Sequence, residues 1–102
     1  MEKTYINVAM GLKREEVRKL LENNEMPRYR FVRMNNPIEM TLEVEDDGTH
    51  DPIRYTEAKI RSIPNGKVLF FRVMYYGTNF AWEKKPSTEE QEAKLQAAKN
   101  SD

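Results

Sequence analysis

The sequence predicts an α+β two-layer sandwich: an antiparallel sheet of about five strands with one main helix on one face, in the order β-α-β-β-β-β. Three observations carry this expectation. Tyr5 to Met10 and Ile38 to Val44 alternate apolar and polar residues with the period of a half-buried strand. Leu12 to Asn24 places Val17, Leu20 and Leu21 at helical spacing. Asn65-Gly66 stands between two apolar-rich segments and supplies two residues that tolerate positive φ, as a tight type I′ hairpin requires.

In Tyr5 to Met10, the side chains of Ile6, Val8 and Met10 share one side and Asn7 lies on the other. Gly11 breaks that pattern. The helix that follows carries Glu15 and Glu16 in its first turn, where the helix dipole favours negative charge. Glu15 also precedes Lys19 by four residues, a pairing worth about 0.3–0.5 kcal/mol on a helix surface. Asn23-Asn24 and Pro27 end it, because proline disfavours a helical conformation at Met26.

Arg28 to Met34 interleaves arginines with Tyr29, Phe31 and Val32 and reads as a strand, with a turn at Asn35-Asn36-Pro37. Ile38, Met40, Leu42 and Val44 then point inward and Glu39, Thr41 and Glu43 outward. Glu45 to Pro52 is an acidic loop. Arg54 to Ile63 is expected to be a less regular strand, with Tyr55 on one parity and Ala58 and Ile60 on the other, reconciled by a bulge. Lys67 to Tyr76, the most hydrophobic run, is expected to be the central strand, with Phe80, Ala81 and Trp82 adding buried surface. The globular domain is placed at 1–86. Residues 87–102 read as a marginal or frayed helical tail: Ser87 and Glu90 form a capping-box pattern after Pro86, but Leu95 is the sole large apolar residue there.

Length and composition bound the function. The chain has 102 residues, enough for one domain with a single core. No run of about 18 apolar residues exists, so no membrane span is expected. Met1-Glu2-Lys3-Thr4 lacks the succession of a secretory signal, and a cytosolic location is expected. Acidic and basic residues balance at 17 each, yet they are segregated: +3 over residues 1–34, −6 over 35–58, +5 over 59–86 and −2 over 87–102. A neutral total argues against a dedicated nucleic-acid binder without removing a local basic face.

Little catalytic chemistry is on offer. With no cysteine there is no disulfide, thiol nucleophile or thiolate metal site. His50 is the single histidine, so a Ser-His-Asp triad would have to bring it to Ser62, Ser87 or Ser101, and nothing in the spacing suggests that. Glu43, Glu45 and Asp47 alternate ahead of Gly48 as in a calcium loop, but Arg54 stands where the twelfth-position carboxylate is needed. Four glycines form no phosphate-cradling pattern. No catalytic residue, cofactor or metal is therefore expected.

Gly11, Glu15, Glu16, Val17, Leu20 and Leu21, followed by strands and Asn65-Gly66-Lys67-Val68, resemble the helix, strand and closing turn of potato inhibitor I type protease inhibitors. That resemblance implies an inhibitory loop near Asn35 to Thr41; the acidic stretch Asp46 to Pro52 and the strands at both ends depart from it. The same residues are similar to small lipoprotein and β-lactamase-inhibitor-like folds. Lys67 to Lys85 with Glu92, Ala93 and Ala97 resembles the last strands and tail of RelE/HigB-type messenger-RNA-cleaving toxins, which implies a basic protein with catalytic basic and aromatic residues. The sequence pI of 6.6 departs from that pattern.

The resulting expectation is a small non-enzymatic, cytosolic protein-binding module, an inhibitor or regulator of a partner. Its contact residues would be Phe70, Arg72, Met74 and Tyr76 on the second face of the Lys67 to Tyr76 strand, with Asn35 and Asn36. A homodimer through that face satisfies the same observation. The alternative is RNA binding, or toxin-type RNA cleavage, through Arg28, Arg30 and Arg33 with Tyr29 and Phe31, and Arg72 with Phe70 and Tyr76, which mix cations with stacking surfaces as single-strand readers do.

Overall fold

The computed structural model describes residues 1–78 and 83–100. Its elements are β1 (Glu2–Met10), α1 (Arg14–Glu22), β2 (Arg28–Asn36), β3 (Glu39–Asp46), α2 (Pro52–Arg61), β4 (Phe71–Tyr75) and α3 (Thr88–Asn100), with a short 3-10 turn at Gly66–Val68 before β4. The strands form one antiparallel sheet in the order β2-β3-β1-β4. Order and direction together make a split β-α-β, or ferredoxin-like, connectivity. The class is α+β, as expected, with four strands among the described residues in place of about five.

The alternating strands place their apolar residues as their period dictates. Ile6, Val8 and Met10 of β1 lie beside Met40, Leu42 and Val44 of β3, all buried. Val73 of β4 and Tyr29 of β2 extend this layer to both sides, and Val17 and Leu21 of α1 and Ile60 of α2 close over it. Each such side chain contributes about 1.5–3 kcal/mol by leaving water. Ile38, expected inward, is exposed, because the turn Asn36–Ile38 carries it beyond the end of the strand.

Two expectations are corrected. The segment expected as an irregular strand at Arg54 to Ile63 is the helix α2. Asp51 is its N-cap, accepting the N–H groups of Ile53 and Arg54, and Pro52 occupies the first turn, where its missing N–H costs nothing. Ile53, Thr56, Ile60 and Ile63 face the core at helical spacing, so the uneven strand parity was a helical period. The order is therefore β-α-β-β-α-β.

The second correction concerns Lys67 to Tyr76. Asn65 does have positive φ, at 65°, but it leads out of α2 into the 3-10 turn and makes no hairpin. The Gly66 N–H donates to Ile63 O at 2.8 Å, and a Cβ on Gly66 would overlap the Ile60 carbonyl and lie 2.8 Å from the Arg61 backbone. Glycine is needed there for close approach of the chain to the end of α2. Only Phe71–Tyr75 remains as strand, and it lies at an edge of the sheet; the center belongs to β1 and β3. Phe80, Ala81 and Trp82 lie outside the described residues.

α3 packs on the sheet face opposite α1 and α2, where Leu95 is buried and the Tyr5 hydroxyl donates to Glu92 at 2.9 Å. Its Ser87 cap accepts the Glu90 N–H at 3.1 Å. The firmest tie is Gln91, whose side chain is 0% exposed. The last β1–β4 rung pairs Tyr5 with Tyr76, and the Tyr76 N–H donates to Tyr5 O at 2.9 Å. The return bond is replaced by an amide inserted from α3: Gln91 Oε1 accepts the Tyr5 N–H at 3.0 Å, and Gln91 Nε2 donates to Tyr76 O at 2.9 Å and Tyr5 O at 2.8 Å. Gln91 Oε1 also accepts the Thr4 hydroxyl. No helix of the described residues is long and apolar enough to cross a membrane.

Two substitutions test this account. Gln91→Leu keeps the volume but strands the Tyr5 N–H and the Tyr76 carbonyl, and urea unfolding should show a loss of about 2 kcal/mol or more; a change within about 0.5 kcal/mol would mean the inserted amide holds nothing. Gly66→Ala should cost about 1–3 kcal/mol, since the atoms it meets are backbone.

Candidate functional site

The residues expected to form a partner surface are set by the parity of β4. The Tyr76 N–H points to β1, so the backbone groups of Arg72 and Met74 do as well, while those of Phe71, Val73 and Tyr75 point to the outer edge. Among the described residues no strand lies on that outer edge. The Tyr75 carbonyl is engaged by the N–H and hydroxyl of Thr78, at 3.2 and 2.8 Å. Side chains divide the other way: Phe71, Val73 and Tyr75 face the α1/α2 layer, and Arg72, Met74 and Tyr76 face the side that α3 crosses.

That second side carries a groove of about 370 Å³ lined by Asn7, Glu39, Arg72, Met74, Tyr76 and Lys94. Met74 is buried in its wall, Tyr76 half-buried and Arg72 exposed. A polar strip continues it across the sheet: the Thr41 hydroxyl donates to Asn7 Oδ1 at 2.6 Å, and Asn35 Nδ2 donates to Thr41 Oγ1 at 2.9 Å and Glu39 Oε1 at 3.0 Å. Four of the expected residues, Asn35, Arg72, Met74 and Tyr76, therefore share one face. Asn36 is elsewhere employed, its side chain accepting the N–H groups of Ile38 and Glu39 in the β2–β3 turn.

Phe70 is 96% exposed, and Val68 is 75% exposed two residues earlier. Both precede β4, whose middle residue, Val73, is only 3% exposed. Alternation places Val68 on the same strand face as Phe70, but Val68 lies in the 3-10 turn at Gly66–Val68, outside the strand.

The alternative set is dispersed. Tyr29 lies in the core with its hydroxyl 2.8 Å from Thr56, and burial pushes its pKa up to about 12. Arg30 pairs with Glu43, which also holds Lys3 at 3.1 Å. Arg28 is exposed opposite Glu45, and Arg33 lies beside Thr41 on the groove side of the sheet.

A second constellation, unseen in the sequence, closes the end of β3. Asp46 is buried, and its two oxygens accept the Gly48 N–H and the His50 N–H at 3.0 Å and meet His50 Nδ1 at 2.7 Å. The His50 ring stands edge-on to Tyr55, with centroids 5.0 Å apart. Beside them is a cleft of about 420 Å³ reached by Lys3, Thr49, Tyr75 and Lys85. Asp46, Asp47 and His50 bring donor atoms within 4.8 Å of one another, a spacing that could hold a cation, but these donors already bond one another and the loop backbone. Burial raises the Asp46 pKa, and the bonds from His50 and Gly48 outweigh it, leaving the carboxyl below its usual value. The arrangement organises the acidic loop ahead of α2.

Comparison with protein-family models, with curated proteins and with solved structures gives no significant match.

The depressed Asp46 pKa fixes a pH window. Its stabilisation is complete above the unfolded carboxylate value of about 3.9 and is lost as pH falls through the lower folded value. Asp46→Asn should therefore melt below the wild type at neutral pH, with the difference closing below about pH 4. A gap that persists unchanged into stronger acid would show that the charge plays no part.

Proposed function

We propose that the chain is a small protein-binding module, regulatory or inhibitory toward its partner, that docks through the margin formed by Val68, Phe70 and β4. One observation carries the reading: a fully presented phenylalanine beside a strand edge whose outward backbone groups meet no strand among the described residues. A Phe ring returns about 1.5–3 kcal/mol when it leaves water, and a strand edge supplies a ready row of donors and acceptors. Edge strands in proteins that avoid such pairing carry prolines or inward charges. β4 carries neither: its one charged residue, Arg72, projects to the groove side.

The RNA reading draws less support. Its stacking ring, Tyr29, is packed in the core, and Arg30 shares the Glu43 carboxylate with Lys3. Around Arg28, Arg30 and Arg33 this leaves mainly phosphate attraction, which salt screens; the accessible ring of that reading is Phe70, beside Arg72.

Immobilised wild type and Phe70→Ala should be compared for capture of protein partners, with and without nuclease. The expected result is a nuclease-resistant partner whose affinity falls about tenfold or more in the variant, at an unchanged melting temperature. Equal capture by the two forms would remove this margin, and capture that vanishes with nuclease would return RNA to the front.

A further inference from the structure

We infer that the contact surface is the end of the sheet at which β1 finishes and β3 and β4 begin, and that it takes a protein segment combining carboxylates with apolar side chains. This rests on the reading of Phe70 as a docking residue, enlarges the surface around it and names the chemistry of its occupant. Five large apolar residues are exposed among the described residues: Met1, Leu12, Ile38, Val68 and Phe70. All except Met1 belong to this end.

The strand register brings them there. Phe70 stands one residue before the rung Phe71–Met10, and Val68 lies two residues further back in the 3-10 turn. Ile38 stands one residue before the rung Glu39–Ala9, and its carbonyl accepts the Met10 N–H at 2.8 Å. Leu12 follows Met10 by two residues. The Arg14 guanidinium donates to the Pro37 carbonyl and so ties the Leu12 turn to the Ile38 turn. Leu12 is 72% exposed and Ile38 53%. Gly11 is open as well, since a Cβ placed on it meets no atom within 4 Å. Single apolar residues scattered over a surface need no explanation, but a group gathered on three adjacent strand ends does. These turns are already held by backbone bonds, so little ordering is left to lose on binding.

Charge selects the occupant. From Lys59 to Thr78 the chain carries Lys59, Arg61, Lys67 and Arg72 and no carboxylate. Among the carboxylates of this end, Glu16 pairs with Lys13 at 3.6 Å, Glu39 accepts the Asn35 amide at 3.0 Å, and Glu15 stands in the first turn of α1. The opposite end of the sheet sets Glu2, Glu45, Asp46, Asp47 and Asp51 against Lys3 and Lys85. The molecule is neutral in sum but polar from end to end, and its field turns the apolar end toward an acidic partner. Leu12, Ile38 and Val68 are aliphatic and offer no flat face on which a base could stack. Glu15, Glu16 and Glu39 would be repelled by a uniformly anionic surface, whereas a protein segment can place its carboxylates against the cations alone.

The test selects short random peptides, displayed on phage, against the immobilised full chain, with Gly11→Glu for counter-selection. Gly11 sits in open space without a positive φ, so this variant keeps the fold while setting a carboxylate among the apolar residues. Enriched peptides should combine an excess of acidic over basic residues with Leu, Ile or Phe. A purified enriched peptide should shift the amide resonances of Leu12, Ile38 and Phe70, bind Phe70→Ala about tenfold more weakly, lose affinity with Leu12→Ser, and weaken as salt rises. An absence of enrichment, enrichment of basic or uncharged peptides, or binding indifferent to Leu12 overturns the inference. Tighter binding of a uridine oligonucleotide or of phosphatidylserine vesicles at the same residues overturns it too. The docking reading is judged apart from this: a peptide held by Phe70 but indifferent to Leu12 and Gly11 would leave that reading standing while the larger surface fails.

Discussion

The central position of β1 is the constraint from which the other placements follow. Its nine residues have β3 on one side and β4 on the other, so both rows of its backbone groups need partners along its length. β3 pairs with it from Glu2 to Ala9, but β4 reaches only from Met10 to Ile6 before Gly77 turns the chain away at φ 97°. A buried backbone amide left without a partner at Tyr5 would cost as much as a lost hydrogen bond or more. Gln91 fills that gap, and in doing so fixes where α3 lies. A glutamine side chain carries the same donor and acceptor as a peptide group, which is why it can stand in for one rung of a ladder.

The two faces of β1 impose the rest. Ile6, Val8 and Met10 demand cover, which α1 and α2 supply with Val17, Leu21 and Ile60. Tyr5 and Asn7 face the other side, where cover is partial and polar: α3 lies over Tyr5, and Asn7 joins Thr41 and Asn35. A sheet with one dry and one partly wet face is the natural outcome of clean alternation in β1 and β3. The groove beside Arg72 and Met74 is what α3 leaves uncovered.

How far the sequence could be read follows from how local each signal is. Alternation in β1 and β3 and the helical spacing of α1 depend on neighbours within a few residues, and they placed those elements and all their inward residues except Ile38, which the β2–β3 turn carries out of the strand. α2 was legible but misread. Asp51-Pro52 is a helix start, and Ile53, Thr56, Ile60 and Ile63 are spaced for one, but the β-branched residues Ile53, Thr56, Ile60 and Ile63 raise strand propensity and hid it. The Asn65-Gly66 turn was read for its conformation, which is present at Asn65, and not for its setting, which is the exit from a helix. Gln91 could not have been found. Nothing in Glu89-Glu90-Gln91-Glu92 distinguishes an amide destined for a buried rung from three solvated neighbours; only the early departure of β4 creates the need. The candidate site fared in the same way, with Arg72, Met74 and Tyr76 brought to one face by strand parity, Lys94 and Asn7 supplied by tertiary geometry, and the Asp46–His50 contact made within one loop, four residues apart.

The misplacement of β4 changes what its apolar residues mean. In a central strand, apolar character on both faces is core and points to nothing beyond the fold. At an edge the same five residues have one neighbour strand, and their aromatic members, Phe71 and Tyr75, are left half-covered beneath Arg61 and Lys85. A cation over a ring recovers about 0.5–1 kcal/mol at an exposed site, less than burial of the ring would. The edge is therefore stable in water yet better satisfied against another surface. Short length, the charged Arg72 and the Thr78 bonds to the Tyr75 carbonyl all limit pairing at β4, since five residues give a partner few rungs to bind. If this edge docks a partner as proposed, Phe70 would supply most of the apolar contact, since Val73 at the middle of the strand is 3% exposed.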